Sequence, residues 1–286
     1  MGVRERAWAH VPGTPLDPAG EETTVDLAVT AARRALEDAG VASEELALVQ
    51  VATSTPHRMT TTVAAAVGAA LGVKAACVDV RGGCAAGLFA LGNAALHVAA
   101  GAGPALVVGA DTFSKIVPVG HAPSLLSLAD GAGAIVVGRK TGSALLATSY
   151  QTDGALARLV YTDGALPPTE AEVARGGYQL SGAPEELARA VPDRYQAALS
   201  AVLRRAGVAA SDVELYVPHQ TGREVLEETS RRVGLARTFS NLERHANIGA
   251  AGWIVALVEA AIRRGALVAT AAVGGGLSWG AAVLRW

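Results

Sequence analysis

The sequence predicts an α/β protein assembled from two copies of one unit, and three observations carry that expectation. First, 51% of the residues are hydrophobic but only 4% are aromatic, so the interior must be closely packed Ala, Val and Leu. Second, short apolar runs of strand type alternate with longer runs of helical spacing, and 33 glycines punctuate them. Third, the chain resembles itself. Ala39-Gly40-Val41, Ser43-Glu44-Glu45-Leu46 and Leu48-Val49-Gln50-Val51 match Ala206-Gly207-Val208, Ser211-Asp212-Val213 and Leu215-Tyr216-Val217 at an offset of 167. Leu71-Gly72-Val73, Gly87 and Gly103 match Val233-Gly234-Leu235, Gly249 and Gly265 at an offset of 162. Two offsets this similar imply duplication, with halves expected at 1–140 and 141–286.

The elements of the first copy follow in order. Residues 25–38 have helical spacing, and Gly40 behind them suits a left-handed C-cap. A strand is expected at 46–52, a helix from about 60 to 71 and a strand at 76–80. A buried helix starts at Cys84, and strands at 105–110 and 132–137 close the unit. The second copy repeats the series with a helix at 195–206, a strand at 214–217, a helix at 225–233 and a strand at 238–242. A buried helix at 249–262 and strands at 266–273 and 281–284 complete it. Strands alternating with helices predict mostly parallel sheets covered on both faces.

Composition excludes several function classes. The chain has 24 Lys+Arg against 26 Asp+Glu, and no basic cluster of the kind nucleic acid requires stands out. Cys77 and Cys84 lie seven apart without a further Cys or His at metal-knuckle spacing, so neither a disulfide framework nor a metal site is expected. Met1-Gly2-Val3-Arg4-Glu5-Arg6 is charged at once and has no apolar segment behind it, which predicts a cytoplasmic protein without a secretory signal. The most apolar stretches, 85–100 and 248–262, fall short of the roughly 20 residues a membrane span needs.

Four stretches could carry chemistry. Cys84 follows Asp79-Val80-Arg81-Gly82-Gly83, a strand end and a glycine turn, and opens an apolar helix. A thiol at a helix N-terminus meets unsatisfied N–H groups, which favour thiolate and lower its pKa from about 8.5. Position alone also admits one more small buried residue there, the reading that suits Cys77. His219, in Val217-Pro218-His219-Gln220, stands at the end of a strand, where α/β proteins bind ligands; by the offset it corresponds to Ala52. A surface or hydrogen-bonded His is the other reading, and His10, His57, His97 and His121 are taken as structural. Asn247, in His245-Ala246-Asn247-Ile248-Gly249, begins the counterpart of the Cys84 helix, because the offset of 162 sets Ala246 opposite Cys84. It suits an N-cap or a ligand contact. Gly274-Gly275-Gly276-Leu277-Ser278-Trp279-Gly280 is a turn whose glycines let a backbone N–H approach a ligand.

These residues resemble the thiolase-fold condensing enzymes, in particular the β-ketoacyl-acyl carrier protein synthase III group and its acyltransferase relatives. The match runs in order through Cys84-Ala85 with Phe89-Ala90-Leu91, Val217-Pro218-His219-Gln220, His245-Ala246-Asn247 with Ala250-Ala251, and the terminal glycine turn, with Asp130-Gly131-Ala132-Gly133-Ala134 as a fifth, structural motif. The resemblance implies a thiolase-like α/β fold of two βαβαβαββ halves in five layers, αβαβα. It implies Cys84 as the acyl-accepting nucleophile, His219 and Asn247 as groups that bind the donor thioester during decarboxylation, and the Cys84 and Gly275 N–H groups as an oxyanion hole. It also implies acyl carrier protein or coenzyme A thioesters as substrates with no cofactor, and a homodimer paired through first-half strands near 105–110. Passage of the acyl group from Cys84 to an alcohol or amine, or a non-catalytic partner subunit, are the competing implications.

The chain departs from the group in three places. The first strand, taken as central in the sheet, is expected at 3–11 with Pro12 ending it, which removes the usual nucleotide-gripping segment. Met59-Thr60-Thr61 stands where relatives carry a bulky wall of the primer pocket, so Met59 and Thr60 are the expected substrate-binding residues. Thr221-Gly222-Arg223-Glu224 shifts by one position an Arg that helps hold the carrier protein. A specialised acyl group or donor is the expectation.

Overall fold

A computed structural model describes the backbone of residues 2–5 and all atoms of 21–117, 128–139, 144–164 and 166–286. The first half runs β1 (Gly2–Glu5), α1 (Thr24–Ala39), β2 (Leu48–Ala52), α2 (Val63–Leu71), β3 (Ala76–Val80), α3 (Ala86–Ala99), β4 (Ala105–Asp111) and β5 (Gly131–Val137). The second runs β6 (Ala144–Thr152), β7 (Val160–Thr162), α4 (Glu170–Ala174), β8 (Leu180–Gly182), α5 (Pro184–Ala206), β9 (Leu215–Tyr216), α6 (Arg223–Val233), α7 (Leu242–His245), α8 (Gly252–Glu259), β10 (Leu267–Gly274) and β11 (Ser278–Arg285). Without the β7-α4-β8 insertion, the two halves repeat the βαβαβαββ series except where the second replaces its third strand with a single bridge, Thr238 to Tyr216. That bridge is all that forms of the strand expected at 238–242.

One sheet has the order β1-β5-β4-β2-β3 and the other β6-β11-β10-β9. Helices α1 and α2 cover the outer face of the first sheet, α5 covers the outer face of the second with α6 packed on it, and α3 and α8 touch strands of both sheets. The result is the expected five layers. The expectation of mostly parallel sheets fails. β2 pairs in parallel with β3 and β4, but β4–β5 and β1–β5 are antiparallel, and in the second sheet only β9–β10 is parallel. A short turn can join only antiparallel neighbours, and β10 turns directly into β11 with Gly274 opposite Ser278.

Strand β1 corrects a second expectation. It pairs only with β5, Gly2 to Glu5 opposite Ala134 to Gly131, and so lies at the edge of the sheet and not at its centre. The strand expected over 3–11 is seen as far as Glu5, and residues 6–20 lie outside the described part. A third correction concerns the pairing edge for a dimer. β4 is enclosed between β5 and β2 and buried along its length, so residues 105–110 have no free edge; among the described residues the sheet ends at β1 on one side and at β3 on the other.

Local chemistry explains the helix limits. The Thr23 side chain accepts from Asp26 N while Asp26 accepts from Thr23 N at 2.9 Å, a capping box that starts α1, and Gly40 ends it at φ 60°. α2 begins at Val63 and not near 60 because Thr62 caps it and the Asp79 carboxylate accepts from Val63 N and Ala64 N at 2.9 and 2.8 Å. The expected helix at 249–262 is a 3-10 turn, Gly249–Ala251, followed by α8, which stops where Ala260 becomes extended. Among the described residues no helix is long and apolar enough to cross a membrane.

Candidate active site

The middle layer brings the chemistry-bearing turns together. Gly83 and Gly249 share a left-handed conformation, φ 58° and 60°, and each starts a 3-10 turn that leads into a middle-layer helix. The two turns, and not the sequence offset of 162, define the structural equivalence. Cys84 therefore corresponds to Ala250, and Asn247 lies three residues ahead of it, opposite Arg81. The glycines are sterically required. A Cβ on Gly83 would come within 2.3 Å of Gly275 N, and one on Gly274 within 2.2 Å of Cys84 N, so the turn carrying Cys84 packs backbone to backbone on the end of β10.

His219 continues the line of β9, since its N–H donates to Ala271 O at 2.8 Å beside β10. The residue is fully buried, and neither ring nitrogen has a partner among the described residues. Tyr195 Oη donates to its carbonyl at 3.2 Å, and Gly252 makes room for the ring, because a Cβ there would lie 2.7 Å from Nδ1. Asn247 serves both of its sequence readings at once. Its Oδ1 accepts from Gly249 N at 3.1 Å, an N-terminal cap of the turn, while its buried Nδ2 has no partner among the described residues. Its carbonyl accepts from Ala129 N at 2.9 Å, which ties it to the segment before β5.

Cys84, His219 and Asn247 all line one cavity of about 570 Å³, with Gly274 and Gly275 on the same wall. Its other walls are largely apolar, with Phe113, Ile116, Leu128, Leu187 and Leu277 among them. Met59 and Thr60 are not part of it. Met59 is 70% exposed on a surface turn and Thr60 is exposed beside it, so the structure places neither expected substrate contact in this chain's cavity. Val160, Tyr161, Thr162 and Leu180 line it instead. They come from the β7–β8 insertion, which has no copy in the first half and thus left no repeat signal. Arg81, three residues before the thiol, also lines the cavity. Among the described residues no group of three or more His, Cys, Asp or Glu is placed to hold a metal ion.

The charge states differ from the sequence expectation. Cys84 keeps part of its surface accessible, yet enclosure around the thiol is the largest influence on it. Together with the negative charge of Asp111 this pushes its pKa up to about 12, against a backbone hydrogen bond that acts the other way. The helix-terminus effect that predicts a lowered value is outweighed, and the resting group is a thiol. Burial holds His219 down to about 3, a neutral imidazole. Asp111, at the end of β4, is fully buried and raised to about 6 by desolvation, against hydrogen bonds from Ala250, Ser54, Thr55 and Thr53. The sequence reading passed over Asp111, because a single acid after an apolar strand carries no spacing signal. The hydroxyl-rich Thr53-Ser54-Thr55 after the neighbouring strand was the available hint.

Comparison with known proteins identifies the fold and family. The sequence pattern of 3-oxoacyl-[acyl-carrier-protein] synthase III matches residues 78–154, and that of its C-terminal region matches 203–286. The chain is 38% identical over 280 residues to the β-ketoacyl-[acyl-carrier-protein] synthase III of Rhizorhabdus wittichii, covering 94% of this chain and 86% of that protein. It is 36% identical to the enzyme of that name from Rhodospirillum centenum, over 93% and 84%. The crystal structure of 3-oxoacyl-[acyl-carrier-protein] synthase III from Aquifex aeolicus superposes with a TM-score of 0.85 at 31% identity, covering 94% of this chain and 86% of that one. The priming β-ketosynthase of the R1128 polyketide pathway superposes at 0.82 with 27% identity, over 93% and 82%. The duplicated five-layer fold, the ordered motifs and these identities lead to one conclusion: the chain belongs to the β-ketoacyl-acyl carrier protein synthase III family, the ketosynthase III-like condensing enzymes.

Proposed function

We propose that this condensing enzyme loads an acyl group from a thioester onto Cys84 and joins it to a malonyl-type thioester with loss of carbon dioxide, in specialised fatty-acid or polyketide metabolism in the cytoplasm. The observation that carries the residue assignment is the convergence of Cys84, His219 and Asn247, from three separate turns, on one cavity. The donors are coenzyme A or acyl carrier protein thioesters, and no cofactor takes part. As the acyl thioester is attacked, the Cys84 proton passes to the unpaired neutral imidazole of His219 and leaves with the departing thiol. The N–H groups of Cys84 and Gly275 hold the tetrahedral oxyanion.

In the second half-reaction the malonyl thioester loses carbon dioxide, and its electron pair becomes an enolate. His219 and the Asn247 Nδ2 hydrogen-bond the enolate oxygen. An imidazole that stays neutral down to about pH 3 donates that bond without protonating the carbanion. The carbanion attacks acyl-Cys84, the carbon–carbon bond forms, and the thiolate departs and takes up a proton from solvent. We also propose a homodimer, with the free edge of β3 in the interface.

Intact mass after exposure to a panel of acyl thioesters, with labelled carbon dioxide followed from malonyl thioesters, tests the reading. Wild type should gain one acyl group, and Cys84→Ala none. Asn247→Ala should still acylate while decarboxylation falls by about 10²-fold, the scale of losing one preorganised donor. A label that persists in Cys84→Ala, or maps to Cys77, refutes the nucleophile. Acyl transfer to an added alcohol or amine, with no labelled gas from any malonyl donor, identifies an acyltransferase instead.

A further inference from the structure

Asp111 is a buried carboxylate that the condensation chemistry above does not use. No cation pairs with it among the described residues; four donors hold it instead. Oδ1 accepts from Ser54 N at 2.7 Å, from Thr55 Oγ1 at 3.1 Å and from Thr53 Oγ1 at 3.2 Å. Oδ2 accepts from Ala250 N at 2.9 Å. The first three donors belong to the loop after β2, where Thr53 and Ser54 line the cavity. The fourth belongs to the turn that follows Asn247 in the other half of the molecule. Gly249, between Asn247 and Ala250, is packed against the acid so closely that a Cβ would lie 2.1 Å from Oδ2. The same Gly249 N–H is the one that Asn247 Oδ1 accepts. An unbroken chain of contacts thus runs from the β2 loop through the carboxylate to the cap that orients the Asn247 amide.

A buried carboxylate with no cation beside it costs free energy, but an apolar side chain in that space would leave its four donors unsatisfied. What the carboxylate supplies is two acceptor oxygens on opposite sides, one for each half. We propose that Asp111 is a positioning residue for decarboxylation, clamping the Gly249-Ala250 turn to the end of the first sheet and so fixing where the Asn247 N–H points. This rests on the condensation reading above. The acid has a second, opposite influence. Its negative charge disfavours the Cys84 thiolate, so neutralising it eases loss of the thiol proton while it loosens the clamp.

The test uses the full-length enzyme and Asp111→Asn, which keeps the size but offers one acceptor oxygen in place of two. Three quantities are read: Cys84 acylation by an acyl thioester, labelled carbon dioxide from a malonyl thioester, and the pH midpoint of iodoacetamide alkylation at Cys84. We expect acylation within about threefold of wild type, and decarboxylation lower by about 10- to 100-fold, the usual scale for groups that orient a reacting one. The alkylation midpoint should move to lower pH. Equal losses in both half-reactions, or decarboxylation at the wild-type rate, overturn the proposal. Should Asp111→Asn fail to fold, Thr55→Val decides. It removes one Oδ1 partner outside the cavity lining, keeps the charge, and should slow decarboxylation a few-fold without slowing acylation; equal effects on both overturn the proposal. Wild type that releases no labelled gas overturns the condensation reading itself, which separates the two failures.

Discussion

At the scale of single residues, burial suppresses charge at Cys84, His219 and Asp111. Cys84 is driven up to about 12, His219 down to about 3 and Asp111 up to about 6, so at neutral pH a thiol and a neutral imidazole face the substrate. These shifts tie stability to pH with opposite signs. The unfolded chain protonates His219 below about 6.5, whereas the folded chain refuses the proton until about pH 3. Stability is therefore lost as pH falls through that window. Asp111 acts the other way, because the folded chain takes up its proton near pH 6 and the unfolded chain only near 3.8; stability rises as pH falls between the two. The His219 shift is the larger, so the wild type should lose net stability on acidification. Denaturant unfolding at pH 7.5 and pH 5 checks the signs. His219→Gln should flatten the acid loss, and Asp111→Asn should steepen it. Slopes that move in the same direction in both variants contradict the assigned charge states.

At the scale of elements, the turns between strand and helix hold the strain that the strands do not. Ala246 is a residue with a side chain at φ 55° and ψ −155°, immediately before Asn247 and 5% exposed. Such a conformation costs on the order of 1–3 kcal/mol for a residue with a Cβ. Ala246→Gly should remove that cost and return part of it as extra freedom of the unfolded chain, for a net gain of about 1 kcal/mol. Thermal unfolding measures it, and a lower Tm rejects the strain. This turn also marks the limit of what the sequence disclosed. Cys84, His219 and Asn247 were legible because each stands between an apolar run and a glycine-marked turn. The register between the two halves was not, because the loops shift it from 167 at β2 and β9 to 166 at the glycine turns and 163 at β4 and β10. β6 was also missed. It lies at the edge of its sheet, half-exposed, and its run Ala-Leu-Leu-Ala-Thr-Ser-Tyr-Gln-Thr has no Val or Ile to announce it. The β7–β8 wall of the cavity has no counterpart in the first half, so self-comparison could not find it. Met59 and Thr60 rest on the resemblance alone, and they stand exposed on a turn outside this chain's cavity lining.

At the scale of the whole molecule, the unresolved demand is the open side of the first sheet. Among the described residues β3 pairs only with β2, on one side, and a strand with a row of free N–H and C=O groups is a template for another strand. Its side chains do not protect it. Val78, at its centre, is 44% exposed, and α3 beside it exposes Phe89 and Leu96, the latter 71%. No lysine or proline interrupts Ala76-Cys77-Val78-Asp79-Val80, the residues that blunt an edge in a monomer. A two-fold pairing of β3 with its copy would satisfy those backbone groups and extend the sheet across both molecules. Sedimentation at micromolar concentration should therefore find a dimer. Val78→Asp sets a carboxylate opposite its own symmetry mate in the middle of that pairing, where like charges repel, and should shift the equilibrium toward monomer by tenfold or more in Kd. The same substitution on the exposed α3, Leu96→Asp, tests whether the helix belongs to the interface or only borders it. A wild type that sediments as a monomer, or a Val78→Asp dimer as tight as the wild type, places the interface elsewhere and leaves β3 as a true edge.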